Sequence, residues 1–405
     1  MRISVTSETG KLKKVLLHRP GGEIEHLTPN YLSRLLFDDI PFLDRAQIEH
    51  DAFAKVLKDF GTEVVYLSEL TAQAIGKDQK IRRAFIEDFL TEAGTGALRR
   101  RKELFRFLMN IEDPHDIVLQ TMEGIAESEL SKTNRGPLTR LVNDTDGFVV
   151  EPIPNLYFTR DPMAVIGNSL SLNFMASRTR NRETLYGRYI FKYHPDFCEN
   201  TERCYTSDLP YNIEGGDICV LSPTTIAVGF SERTSAEAIE LLAKNLFSDE
   251  KNTVENIIVV DIPSLRAFMH LDTVFTQADR NVFLVHPGVL GNMRFFRVYR
   301  GARGKVLARP VKGSLESVLM RYLELDDVTI IKCGGSNTIA SSREQWNDGS
   351  NVLCLEPGTV VVYDRNTVTN QILEDNGIKT VPIQSSELSR GRGGPHCMSM
   401  PLLRD

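Results

Sequence analysis

The sequence predicts an α/β protein built from five pseudo-symmetric ββαβ units closed into a ring, with an all-helical bundle inserted after the first unit. Four segments repeat one template: an aspartate, an apolar strand, a tight turn, a second apolar strand and then, in most copies, a helix. They begin at Asp161, Asp217, Asp272 and Asp348. The N-terminal segment fits a divergent fifth copy. A stretch rich in Ala, Leu, Glu, Lys and Arg, from Leu70 to about Leu141, breaks the pattern.

In chain order, Leu12–His18 reads as a strand, Gln47–Phe60 as an amphipathic helix and Glu63–Leu67 as the return strand. The interrupting stretch reads as short helices over Asp78–Leu90, Leu98–Leu108 and Asp116–Ser128, forming a small bundle that leans on the ring. The hairpins follow: Met163–Ile166 with Leu170–Phe174, Ile218–Leu221 with Ile226–Phe230, Thr273–Thr276 with Val282–Val285, and Val352–Leu355 with Val360–Tyr363. Helices are expected at Arg182–Phe191, Ala236–Phe247 and Thr367–Asp375, and a closing strand at Thr380–Ile383. The division is therefore 1–69 and 142–405 for the α/β body and 70–141 for the helical insertion. A ring of short sheets leaves few free edges and brings loops from every unit to one central pit.

Composition narrows the function. The chain has 405 residues, 41% of them hydrophobic, and a net charge of −6, which argues against a nucleic-acid binder because phosphate neutralisation needs a basic face. The run Arg99-Arg100-Arg101-Lys102, followed by Glu103, reads as a solvated helix face. No stretch approaches the length of a membrane span, and no leader pattern opens the chain, so a cytoplasmic protein is expected. Cys198, Cys204, Cys219, Cys333, Cys354 and Cys397 form no Cys-x-x-Cys pair, so reduced thiols and no structural zinc are expected.

The chemistry gathers at the ends of the units. Cys397 follows a glycine loop, Gly391-Arg392-Gly393-Gly394, whose backbone can approach a ligand closely. Such a thiol in a tail is either an inert buried cysteine or a nucleophile activated by a neighbouring base. Asp161, Glu214, Asp217 and Asp272 stand at equivalent unit ends, and His270 precedes Asp272 by two residues, on one side of an extended segment. Each alone reads as an ordinary turn residue or a structural histidine. Together, four acids around a thiol suit a permanently cationic substrate, and guanidinium matches carboxylates with paired donors. At an effective dielectric near 20, each close carboxylate supplies on the order of 4 kcal/mol of attraction before desolvation. Arg180 and Arg233, at matching places in successive units, read either as surface ion pairs or as a site for a carboxylate. Trp346, the one tryptophan, is assigned to the core near the fourth hairpin.

These residues resemble the bacterial arginine deiminases, members of the guanidino-modifying five-bladed α/β propeller superfamily. The likeness is carried by Lys14-Val15-Leu16-Leu17-His18-Arg19-Pro20-Gly21, Phe158-Thr159-Arg160-Asp161-Pro162, Arg182-Glu183-Thr184-Leu185, Glu214-Gly215-Gly216-Asp217, His270-Leu271-Asp272-Thr273, Arg343-Glu344-Gln345-Trp346-Asn347-Asp348-Gly349 and the Cys397 tail. Met163 stands where an aromatic residue is common in the family. The resemblance implies a five-bladed pseudo-symmetric ββαβ propeller with an inserted helical bundle. It also implies hydrolysis of L-arginine to L-citrulline and ammonia. Cys397 would attack the guanidinium carbon, Asp161 and Asp272 would grip its nitrogens, His270 would shuttle protons and Glu214 would pair with His270. Arg180 and Arg233 would hold the α-carboxylate, with Arg392 on a closing loop. Asn155, Phe158, Gly391 and Asp217 would complete the pocket. No metal or organic cofactor is expected, the partner is the small molecule L-arginine, with no nucleic acid and no membrane, and a homo-oligomer is expected. The alternatives are an amidinotransferase acting on arginine and a non-catalytic arginine-binding protein.

Overall fold

Among the described residues of the computed structural model, five of the six sheets share one pattern, an antiparallel pair extended by a third strand parallel to the second. The described residues are 3–130, 147–199, 201–291 and 293–405. The first such sheet pairs Met163–Ile166, Ser169–Leu172 and Glu202–Tyr205. Next come Ile218–Ser222, Thr225–Phe230 and Asn256–Asp261, then Phe275–Asp279, Val282–Val285 and Thr329–Lys332. The fourth joins Leu353–Glu356, Thr359–Tyr363 and Lys379–Ile383. The fifth combines both ends of the chain: Met400–Arg404 runs antiparallel to Leu12–Leu17, which pairs in parallel with Glu63–Tyr66. This last pairing delivers Cys397, three residues before its strand, to the N-terminal unit.

In each of these five sheets a helix separates the second and third strands: Leu43–Asp59, Thr184–Tyr193, Ala236–Ser248, Leu315–Leu323 and Thr367–Asp375. A parallel return needs such a crossover. The strands of the antiparallel pairs are buried on both faces, which explains why they read as short continuous apolar runs rather than as alternations. Ser235 and Ser314 accept hydrogen bonds from Ala238 and Ser317 backbone N–H groups, capping two of these helices.

Several expected boundaries move. The third hairpin begins at Phe275 and turns at Arg280-Asn281, because Leu271–Thr273 forms a 3-10 turn. That unit also carries a helix the pattern did not supply, Leu315–Leu323. A further hairpin, Arg294–Arg300 with Val306–Val311, joins the second sheet by pairing with Asn256–Asp261, making it five-stranded.

The helical stretch contains Leu67–Gly76, Gln79–Glu92, Thr95–Arg99, Arg101–Met109 and Pro114–Glu123. Asp78 and Asp113 cap two of them through Lys80 and His115 N–H. The expected Leu98–Leu108 helix is broken at Arg100, and the expected helix to Ser128 ends at Gly124, whose φ is +81°. Phe85, Phe89, Leu104 and Ile117 share one apolar core with Leu185, Tyr186 and Ile190 of the first sheet's helix. The final part of the expected insertion, 131–141, lies outside the described residues. The basic run is not one solvated helix face: it straddles the break at Arg100, whose largely buried side chain pairs with Glu103 at 2.8 Å, while Arg101 donates to Thr91 and the Glu87 carbonyl. Among the described residues, no helix is long and apolar enough to cross a membrane.

Candidate active site

The segment before the first sheet and the segment before the C-terminal strand are stitched together. Arg160 N–H donates to the Cys397 carbonyl at 3.1 Å, and Thr159 Oγ1 donates to the carbonyls of Leu16 and Met398. Asn351 ties in the fourth unit. Its Oδ1 accepts the N–H groups of Cys397 and Gly394 at 3.0 and 3.1 Å, and its Nδ2 donates to the Asp272 carbonyl at 3.0 Å. Residues more than two hundred positions apart thus meet at Cys397.

Cys397 is buried, 3% exposed. Its Sγ lies 3.4 Å from Asp272 Oδ2. Burial first, and then the charges of Asp272, Asp161 and Asp348, push the thiol well above its ordinary 9.0. The same Asp272 oxygen accepts from His396 Nδ1 at 2.9 Å, and His396 Nε2 lies 3.3 Å from Glu8 Oε2. Burial opposes ionisation of Asp272, but His396 outweighs it and holds this carboxyl below the usual range.

His270 and Asp272 do not share one side of an extended strand. His270 has extended backbone, whereas Asp272 sits inside the Leu271–Thr273 turn, so the two side chains take different partners. His270 Nε2 meets Glu214 Oε2 at 2.7 Å, and Nδ1 lies 3.7 Å from Asp161 Oδ1. Burial works against its charge; Asp161, Glu214 and Asp217 overcome that and raise the imidazole above its ordinary 6.5. Glu214 is correspondingly lowered, with burial opposed by His270, Arg233 and Arg180. A Cβ on Gly216 would stand 2.8 Å from the His270 ring and 2.9 Å from Asp161 Oδ1, so this position needs glycine for close approach.

The basic residues are placed less uniformly. Arg180 is buried and donates to both oxygens of Glu183 at 2.8 Å and to Asp161 Oδ2 at 2.8 Å. Neither of the readings offered from sequence contained this arrangement, a buried arginine held by two acids. Arg233 is partly exposed and lies 3.8 Å from Glu214 Oε1. Arg392 has φ +65°, and its guanidinium lies 3.4 Å over the Trp346 ring. Trp346 is therefore not a core residue; it is 48% exposed and forms a platform for Arg392.

Asn155 donates to the Leu35 carbonyl at 2.7 Å, and Phe158 packs at 4.0 Å between centroids against Tyr157. A Cβ on Gly391 would overlap the Tyr157 hydroxyl, and one on Gly393 would overlap the Phe158 ring. Asp217 is spent on its surroundings: Oδ1 accepts from Leu271 N–H at 2.8 Å and Oδ2 from Ser231 at 2.7 Å. Burial raises it to about 6. Each of the three acids that act on Cys397 leaves one carboxylate oxygen over. Asp161 Oδ1, Asp272 Oδ1 and Asp348 Oδ2 are buried and accept no hydrogen bond among the described residues. The donor atoms of Asp161, Glu214 and His270 lie within 4.8 Å of one another, a set that fits a cation, guanidinium or metal.

A match to the family described as Arginine deiminase spans residues 33–404. The chain belongs to the arginine deiminase family. It is 50% identical to an arginine deiminase of Treponema denticola over 404 residues, covering 100% of this chain and 98% of that one. It is also 50% identical to that of Streptococcus gordonii, with the same coverage. Among solved structures, an amidinotransferase of Microseira wollei superposes with a TM-score of 0.55 at 16% identity, covering 99% of this chain and 97% of that one. DDAH from Pseudomonas aeruginosa, complexed with citrulline, superposes at 0.53 with 15% identity, covering 96% and 99%. At those identities the likeness establishes a shared α/β fold. For an arginine deiminase family member, sequence analysis gave no role to His396, Glu8, Asn351 and Glu183, although His396 adjoins Cys397 and Glu183 stands in the Arg182-Glu183-Thr184-Leu185 motif.

Proposed function

We propose that this chain hydrolyses L-arginine to L-citrulline and ammonia through a covalent intermediate on Cys397. The observation that carries the reading is the pair of buried carboxylate oxygens, Asp161 Oδ1 and Asp272 Oδ1, beside a thiol whose neighbours favour its neutral form. Burying such oxygens without a hydrogen-bond donor is costly, and a planar cation with several N–H donors removes the cost. Family membership and the names of the half-identical relatives support the same substrate.

In this mechanism the bound guanidinium offsets the acids around Cys397 and stabilises its thiolate, whose proton passes to solvent as arginine binds and is taken up again when citrulline leaves. Sulfur adds to the guanidinium carbon, forming the C–S bond. Protonated His270 gives its proton to the departing nitrogen, the C–N bond breaks and ammonia leaves. The remaining S-alkylthiouronium is attacked by water, which passes one proton to His270; the C–S bond then breaks, and the water's second proton leaves with ammonia as ammonium. Glu214 keeps His270 charged and oriented. Arg180, Arg233 and Arg392 form the α-carboxylate end, with Glu183 fixing Arg180, while Asn155, Phe158 and Gly391 shape the pocket and Asp217 supports the Leu271 turn. The five units are proposed to stand round this site as a five-bladed propeller, with 70–141 as its helical insertion.

Cys397→Ser tests the reading in a folded protein supplied with arginine and no acceptor. The expected result is no citrulline and no ammonia, against stoichiometric citrulline and ammonia from the unaltered chain. A single equivalent of ornithine in place of citrulline, with no ammonia, would instead show an amidino-enzyme waiting for an acceptor, and sustained citrulline from the serine variant would reject the covalent route.

A further inference from the structure

The carboxylate of Glu49 lies outside the residues assigned above, on the helix Leu43–Asp59, and is 0% exposed. Its Oε1 accepts from Ser386 N–H at 2.9 Å and from Ser386 Oγ at 2.6 Å; its Oε2 accepts from the N–H groups of Glu387 and Leu388 at 3.0 and 3.1 Å. These donors open the 3-10 turn Leu388–Gly391, so Glu49 caps from another element a turn that has no side-chain cap of its own. The helix is tied back in return, since Phe42 N–H donates to Glu387 Oε2 at 2.9 Å. At the far end of the turn Gly391 is wedged against Tyr157, and Arg392 lies over Trp346.

A carboxylate buried this deeply is costly unless several donors satisfy it. Here all four belong to the segment that ends in Arg392. We infer that Glu49 is a positioning residue for the arginine-binding loop: by locking residues 386–388 it holds Gly391 and Arg392 in the conformation that receives the substrate's carboxylate. Its influence falls on capture of arginine rather than on the covalent steps, which take place at Cys397 and His270. The inference rests on the reading above for the identity of the ligand, but not for the position of the loop.

Trp346 is the sole tryptophan, so its fluorescence reports directly on the Arg392 contact without any substrate. Glu49→Gln keeps the shape and removes the charge. Its emission is expected to move to that of Arg392→Ala, while KM for arginine rises about tenfold, the loss of one charge-assisted contact, with kcat changed far less. Ser386→Ala, which removes one of the four donors from an exposed position, is expected to shift both readouts the same way by less, and serves should Glu49→Gln not fold. Unaltered emission in a folded Glu49→Gln protein, or a change confined to melting temperature, overturns the inference. A shifted emission with no arginine turnover in any form would leave the clamp standing and reject the proposed function instead.

Discussion

Asp272 divides its work between two oxygens. Oδ2 is shared by His396 and the Cys397 sulfur, while Oδ1 accepts no hydrogen bond among the described residues. This single side chain both suppresses the thiolate in the free protein and supplies part of the surface that a guanidinium would cover. The consequence is measurable with iodoacetamide. Because burial and the neighbouring acids raise the Cys397 thiol above 9.0, its thiolate fraction grows about tenfold per pH unit throughout the neutral range. Alkylation of Cys397 in the free protein is therefore expected to accelerate without a plateau from about pH 7 to about pH 9, as thiolate chemistry requires. A plateau below about pH 8 would mean a thiolate preformed by His270, contrary to this account. Sequence made the acids and the cysteine legible because they recur at unit ends. It did not make His396 and Glu8 legible, because a hydrogen bond between residues 8 and 396 leaves no local pattern.

At the scale of elements, strand pairs and helices followed from apolar runs and turn residues, and Thr367–Asp375 agrees with its expected ends. The misplacements have physical causes. A 3-10 turn displaced the third hairpin, since Leu271 and Thr273 look as strand-like as the residues after them. The hairpin Arg294–Val311 was missed because it belongs by pairing to the preceding sheet, not to the unit that contains it. Trp346 was assigned by size to the core, whereas the loop ending in Arg392 recruits it at the surface. That loop makes a prediction of its own. Gly391→Ala places a methyl group in the Tyr157 hydroxyl, so the loop must open, and KM for arginine should rise about tenfold or more, as overpacking of 1–3 kcal/mol implies. Adding Tyr157→Phe removes the obstructing oxygen and is expected to recover part of the loss. Steady-state kinetics on the single and double variants check both; an unchanged KM in Gly391→Ala would show that the loop does not contact the substrate.

For the whole molecule, the decisive feature is closure of the N-terminal sheet by the C-terminal strand, which carries Cys397 to acids from three other units. The repeat of units was readable in the sequence, and so was the idea that their ends converge; which side chain meets which was not, since no local pattern set Arg180 between Asp161 and Glu183. The central claim is that this convergence makes a cysteine nucleophile for a guanidinium carbon. Acid quenching within the first turnovers on labelled arginine, followed by mass analysis of the peptides, tests it directly. The account predicts an adduct with the mass of arginine less ammonia on the peptide containing Cys397, and on no other cysteine. Citrulline formed at full rate with Cys397 unmodified, or with the label on another residue, would contradict it.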